Sequence, residues 1–129
     1  FFTSQSNGAA CLDGSPHALY IHEGKNVNKD NFIVYFQGGG YCGDGDSHRL
    51  FSHAIKEAME VRNIESTAAS RSFDQSGILS TDPSMNPDFY DWTKVIVNYC
   101  DGSEYFGSRP EPIPYKDKKL YFRGTNNVL

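Results

Sequence analysis

Five strand-forming residues run directly into three glycines in "NFIVYFQGGGYCGDGD", residues 31–46. Phe32 to Phe36 is a continuous β-branched and aromatic run. Such a run marks a strand buried on both faces, in a parallel or mixed sheet. Glycine right after a strand either turns the chain tightly or lets another group approach the backbone. The period then changes. Leu50, Phe51, Ala54, Ile55, Ala58 and Met59 recur at helical spacing, and Ser47 is a suitable N-cap. A strand, a glycine loop and an amphipathic helix in succession predict an α/β fold.

Elsewhere the pattern predicts a short strand at Ala18–His22, a second buried strand over 94–100 and a third over 119–124. Residues 1–10 read as a frayed lead-in. Residues 62–92 form a long polar segment, and segments of that length in compact domains are functional or disordered. Thr125–Leu129 has the look of a cap opening a helix, which one turn cannot sustain alone. We therefore expect the 129 residues to be a piece of a longer chain. With 38% hydrophobic and 14% aromatic residues the chain can build a core. Its net charge is -4, and the most basic piece, 115–123, is short, so nucleic acid is not an expected partner. No apolar run reaches membrane-spanning length.

Bared amides in a loop after a strand can hold negative charge. A phosphate cradle wants G-x-G-x-x-G or a Gly-Lys-Ser/Thr ending, and "GGGYCGDGD" has neither. A run of the H-G-G-G kind, supplying amides to a tetrahedral oxyanion, fits the strand-then-glycine order. On the residues alone, that use and a bland turn both stay open. Asp44, Asp46 and His48 alternate like a metal loop, but the later acidic ligands of a calcium loop are missing, so no metal is expected. No G-x-S-x-G elbow occurs, and all four histidines lie in the first half. No residue here can be assigned as nucleophile, base or orienting acid. The three cysteines form no C-x-x-C pair, and an odd count leaves at least one thiol without an internal partner.

Taken in order, "CLDGSPHALYIHEG", "NFIVYFQGGGYC", "GILSTDPSMNPDFYDWTKVIVNYCDGSEYFG" and "LYFRGTNNVL" resemble successive blocks of the pectin acetylesterase family, which includes Notum-type carboxylesterases. The resemblance covers residues 11–129. It implies an α/β-hydrolase-like fold, with residues 11–129 the N-terminal portion of a single domain, incomplete at its C-terminal side, that supplies the N-terminal part of the central sheet with a flanking helix. It also implies ester hydrolysis by a Ser-His-Asp triad, with the nucleophile expected beyond Leu129, and no cofactor. The substrate would be an acetylated polysaccharide or an acylated protein, and the setting secreted. The alternative is a catalytically dead carbohydrate- or lipid-binding remnant of the same family.

Carried over by position, Gly39 and Gly40 match the oxyanion loop of relatives, and Tyr41 a pocket wall. Tyr99, Asp101 and Ser103 match a block bordering the cleft. Gln37 stands where relatives usually have Glu. The resemblance further implies a Cys11–Cys100 disulfide. Relatives carry a cysteine where this chain has His48, so Cys42 is expected to be a free thiol.

Overall fold

A computed structural model of the chain describes residues 2–4, 8–39 and 75–128. The expected helix over 47–60, and with it Gly40, Tyr41, Cys42 and His48, lies outside the described residues.

Four strands form one mixed sheet: β1 (Phe2–Ser4), β2 (His17–His22), β3 (Phe32–Phe36) and β4 (Thr93–Val97), in the order β1-β2-β4-β3. β2 runs antiparallel to both neighbours, with Leu19 opposite Phe2 and Val97. β3 and β4 run parallel, Val34 opposite Val95 and Phe36 opposite Val97. Parallel neighbours need a long connection, and residues 37–92 supply it. A two-stranded hairpin, β5 (Ile113–Tyr115) and β6 (Lys118–Leu120), stands apart from the sheet.

Three expectations change. Phe2–Ser4, expected to fray, pairs with the first half of β2. The third predicted strand shrinks to Lys118–Leu120, because Tyr121–Arg123 turns back to the body: Tyr121 N–H donates to Leu12 C=O at 2.9 Å and Phe122 C=O accepts from Arg109 N–H at 3.1 Å. The largest change is at β3. Phe32, Val34 and Phe36 are 59%, 54% and 50% exposed, where burial on both faces was expected. β3 is the sheet edge among the described residues, and a continuous apolar run does not carry its own cover. β4, by contrast, is the inner strand and has only Val95 short of full burial.

The core gathers where β2 and β4 meet the two cysteine segments: Cys11, Leu12, Ala18, Ile96, Val97, Tyr99, Cys100 and Leu120 are buried. Cys11 and Cys100 form the disulfide that the resemblance implies. Closing a loop of 89 residues lowers the entropy of the unfolded chain by an amount equivalent to about 4–5 kcal/mol in the chain-entropy treatment. Leu12 N–H donates to Cys100 C=O at 2.6 Å beside it. Gly14, at φ +84°, turns the chain before β2 and fits against the Tyr121 ring, where a Cβ would come within 2.7 Å.

The segment before β4 is ordered by side chains gripping backbone. Asn86 Nδ2 donates to the carbonyls of Ile78 and Ser80, both at 2.9 Å. Lys94, 1% exposed, donates its ammonium to the carbonyls of Phe89, Tyr90 and Trp92 at 3.0–3.1 Å. Thr93 Oγ1 donates to Lys29 C=O at 2.6 Å and accepts Gly24 N–H at 2.9 Å. These bonds join the amino end of β4 to the turns around β3. "GILS" and "NPDFYDW" thus serve the end of the sheet opposite to the glycines.

Candidate active site

Parallel strands end together, and in open α/β sheets ligands bind outside their carboxyl ends. Here β3 ends in Gln37-Gly38-Gly39 and β4 in Asn98-Tyr99-Cys100-Asp101. The ladder is carried one rung further by Gln37 N–H, which donates to Val97 C=O at 3.1 Å. The Gln37 side chain then accepts Tyr99 N–H at its Oε1, 3.2 Å away. Gln37 thereby ties the two strand ends together through both its backbone and its side chain.

Gly38 and Gly39 are exposed, and neither amide donates to an acceptor among the described residues. A Cβ on Gly38 would meet nothing within 4 Å among the described residues. At Gly39 a Cβ would overlap the Tyr99 ring. Glycine at 39 is therefore required by close approach: the loop lies flat on Tyr99.

Tyr99, Asp101 and Ser103 are 3%, 0% and 7% exposed. Tyr99 lies against Gly39, and all three present almost no surface to a substrate. Asp101 accepts the Ser103 hydroxyl in a short hydrogen bond and Ser103 N–H at 3.3 Å, and the amides of Arg123 and Gly124 also bond to it. Burial pushes its carboxyl above the ordinary range, against the pull of those donors. Ser103 Oγ accepts Gly107 N–H at 3.0 Å, and a Cβ on either Gly107 or Gly124 would come within 2.5 Å of that oxygen. Ser103 is thus consumed in holding the 101–107 loop to residues 123–125, and it lacks the exposed elbow of a nucleophile.

His17 is buried beside this group. Its Nε2 lies 2.8 Å from Asn98 C=O, and burial pulls its pKa below the usual value, with Asn98 and the Asp101 charge acting the other way. Among the described residues no histidine is bonded to Ser103, whose hydroxyl is held by the Asp101 carboxylate. Asn98 Nδ2 is buried with no partner among the described residues.

Reasoning from sequence missed Tyr105. Its hydroxyl donates to Gln37 C=O at 2.9 Å and lies 3.1 Å from Val97 C=O. Its ring meets Phe36 edge-on at 5.4 Å and Tyr99 at 5.3 Å. An aromatic residue in a polar loop, "DGSEYFG", was the available signal.

The chain that carries this arrangement is similar to known proteins. The chain is 35% identical over 125 residues to pectin acetylesterase 5 of Arabidopsis thaliana, covering 94% of this chain and 26% of that protein. It is 27% identical over 107 residues to inactive palmitoleoyl-protein carboxylesterase notum1b of Danio rerio, covering 83% of this chain and 72% of that protein. Among solved structures, the Wnt deacylase Notum from Drosophila superposes with a TM-score of 0.76 at 25% identity, over 98% of this chain and 35% of that one. The chain thus spans about a quarter of the plant enzyme's length, and its sheet is the N-terminal part of an α/β-hydrolase-like fold. The profile of the Pectinacetylesterase family matches residues 2–129, and the chain belongs to that family.

Proposed function

We propose that these residues form the oxyanion-binding portion of a secreted serine carboxylic-ester hydrolase, acting as an acetylesterase on acetylated polysaccharide. The observation that carries the reading is the exposed amide edge at Gly38 and Gly39, which meets no acceptor among the described residues, at the carboxyl end of β3. Amides fixed in advance stabilise the charge that develops on a carbonyl oxygen as it becomes tetrahedral. Gly39 and Gly40 take that role in our reading, with Tyr41 at the pocket wall. Tyr99, Asp101 and Ser103 act from below, as the frame of the loop. The serine, its histidine and its aspartate come from sequence other than these 129 residues. Identity to plant pectin acetylesterases favours an acetyl ester over a longer acyl group. The Cys11–Cys100 disulfide supports a secretory setting.

A second reading is a catalytically dead binding remnant. It is favoured by the match to notum1b, whose name marks it inactive and which is covered over 72% of its length. Nitrophenyl acetate separates the two. A burst of nitrophenol from the protein that carries this chain, abolished by a serine-directed phosphonate, supports the hydrolase. Binding of acetylated pectin with no burst supports the remnant.

A further inference from the structure

The turn after Asp101 is built against local preference. Phe106 N–H donates to Ser103 C=O at 3.0 Å, closing a four-residue turn whose central residues, Glu104 and Tyr105, have φ of +51° and +64°. Positive φ at both central positions is the pattern of a type I′ turn, in which glycine and asparagine are usual. Glutamate and tyrosine each incur strain there. Three contacts hold the turn: Glu104 N–H donates to the Tyr99 hydroxyl at 3.0 Å, Ser103 is fixed by Asp101, and Gly124 has no Cβ to collide with Tyr105 Cα. The result is that the Tyr105 ring points back to the carboxyl ends of β3 and β4.

There its hydroxyl finds the carbonyl of Gln37, whose peptide plane includes the Gly38 amide. Fixing that carbonyl fixes the direction of the next N–H. Val97 C=O, the second oxygen within reach, is also the acceptor of Gln37 N–H. The hydroxyl thus bridges the last rung between the two strands. The Phe36 and Tyr99 rings on either side keep the phenol in place.

We propose that Tyr105 is the positioning residue of the glycine loop, its hydroxyl setting the direction and rigidity of the Gly38 and Gly39 amides. Burial raises the phenol's pKa above its ordinary value, so it remains a donor across the working range of pH. Tyr105 touches no substrate and acts through the loop. Its catalytic consequence rests on the oxyanion role proposed above, whereas its effect on the loop does not.

The test is Tyr105→Phe in the protein that carries this chain. Phenylalanine keeps the ring contacts and removes one oxygen. Nitrogen-15 relaxation at Gly38 and Gly39 should give order parameters near those of the strands, about 0.8, in the parent protein and below about 0.6 in the variant, with β2 and β4 unchanged. On nitrophenyl acetate, kcat should fall about tenfold or more while KM stays within about twofold. Glu104→Gly, which relieves the strain and keeps the hydroxyl, should leave both readouts unchanged. Glycine amides already mobile in the parent, or unaltered in Tyr105→Phe, overturn the proposal. So does loosening spread evenly over the sheet, whereas a mobile loop with unchanged kcat upholds the positioning role of Tyr105 and overturns the oxyanion role of these amides. If the parent shows no hydrolysis, the esterase reading fails, and relaxation alone decides the role of Tyr105.

Discussion

Asn127 binds the backbone of Ala10 at two points across 117 residues: its Oδ1 accepts Ala10 N–H at 2.9 Å and its Nδ2 donates to Ala10 C=O at 3.1 Å. Its own N–H donates to the Arg123 and Gly124 carbonyls at 3.0 and 3.1 Å, as in a first helical turn. One buried amide thereby links the segment before β2 to the segment that frames Asp101.

Asn127→Ala should therefore loosen two regions together. Two backbone groups lose their partners at a site that is only partly open to water, and the expected loss is about 2 kcal/mol. Urea unfolding should show a lower midpoint with an unchanged slope. Asn127→Asp should recover part of the loss, because a carboxylate still accepts Ala10 N–H. A midpoint unchanged in Asn127→Ala would mean that the clamp contributes nothing.

The pH dependence follows from His17. Burial holds its pKa below 6.5, the value it takes in the unfolded chain. The unfolded state then binds the proton more readily, so stability falls as pH drops below 6.5 and levels off beneath the folded pKa. Asp101 acts in the opposite sense: its raised pKa gives a contribution that is full below 3.8 and is lost as pH rises through the folded value. His17→Gln keeps a donor for Asn98 C=O and removes the titration. The stability of the parent relative to this variant should shrink between about pH 7 and pH 5, read from unfolding at each pH. A constant difference would remove His17 as the cause.

How much of this was legible varied with the kind of signal. β4 stood out because β-branched residues concentrate where a strand is packed, whereas β2, with Ile21 alone, stood out by following the turn at Asp13–Pro16. The position of β3 was equally clear, but its burial was not, because cover comes from other layers and leaves no mark in "FIVYF" itself. Lys94 shows a second limit. A lysine entering a strand reads as solvated, and only the turn of carbonyls at Phe89, Tyr90 and Trp92 makes its burial tolerable. Prolines at 110, 112 and 114 argue for a loop, yet Pro114 sits within β5. A hairpin edge tolerates it, since proline lacks only a donor. At the candidate site, strand order and resemblance single out Gly39. Tyr105 was not found, because its role depends on a strained turn that folds it back onto Gln37.

The exposed face of β3 makes a further prediction. Phe32, Val34 and Phe36 alternate along one face, and on one side the strand has no partner among the described residues. Uncovered apolar edges recruit other chains. Residues 1–129 produced alone should scatter light increasingly with concentration. Val34→Lys should reduce that association by placing a charge on the open face. Monodisperse monomers at all concentrations, with a cooperative thermal transition, would show that β3 is covered from within the chain.

The sharpest test of the glycine loop is Gly39. A methyl group there has to displace the Tyr99 ring or lift the loop, and overpacking of this kind typically costs about 1–3 kcal/mol. Tyr99 is poorly placed to give way, because its hydroxyl accepts Glu104 N–H at 3.0 Å and its ring meets Tyr105. Gly39→Ala should therefore lower both thermal stability and ester hydrolysis. Tyr99→Leu alone should be destabilising, since it removes the support of the turn. Leucine is also a smaller neighbour for the new methyl, so the double variant should be less impaired than the two single losses added together. A thermodynamic cycle over the two positions reads that coupling directly. Strict additivity would place the cost of alanine elsewhere. Hydrolysis unchanged in Gly39→Ala would separate this loop from the reaction.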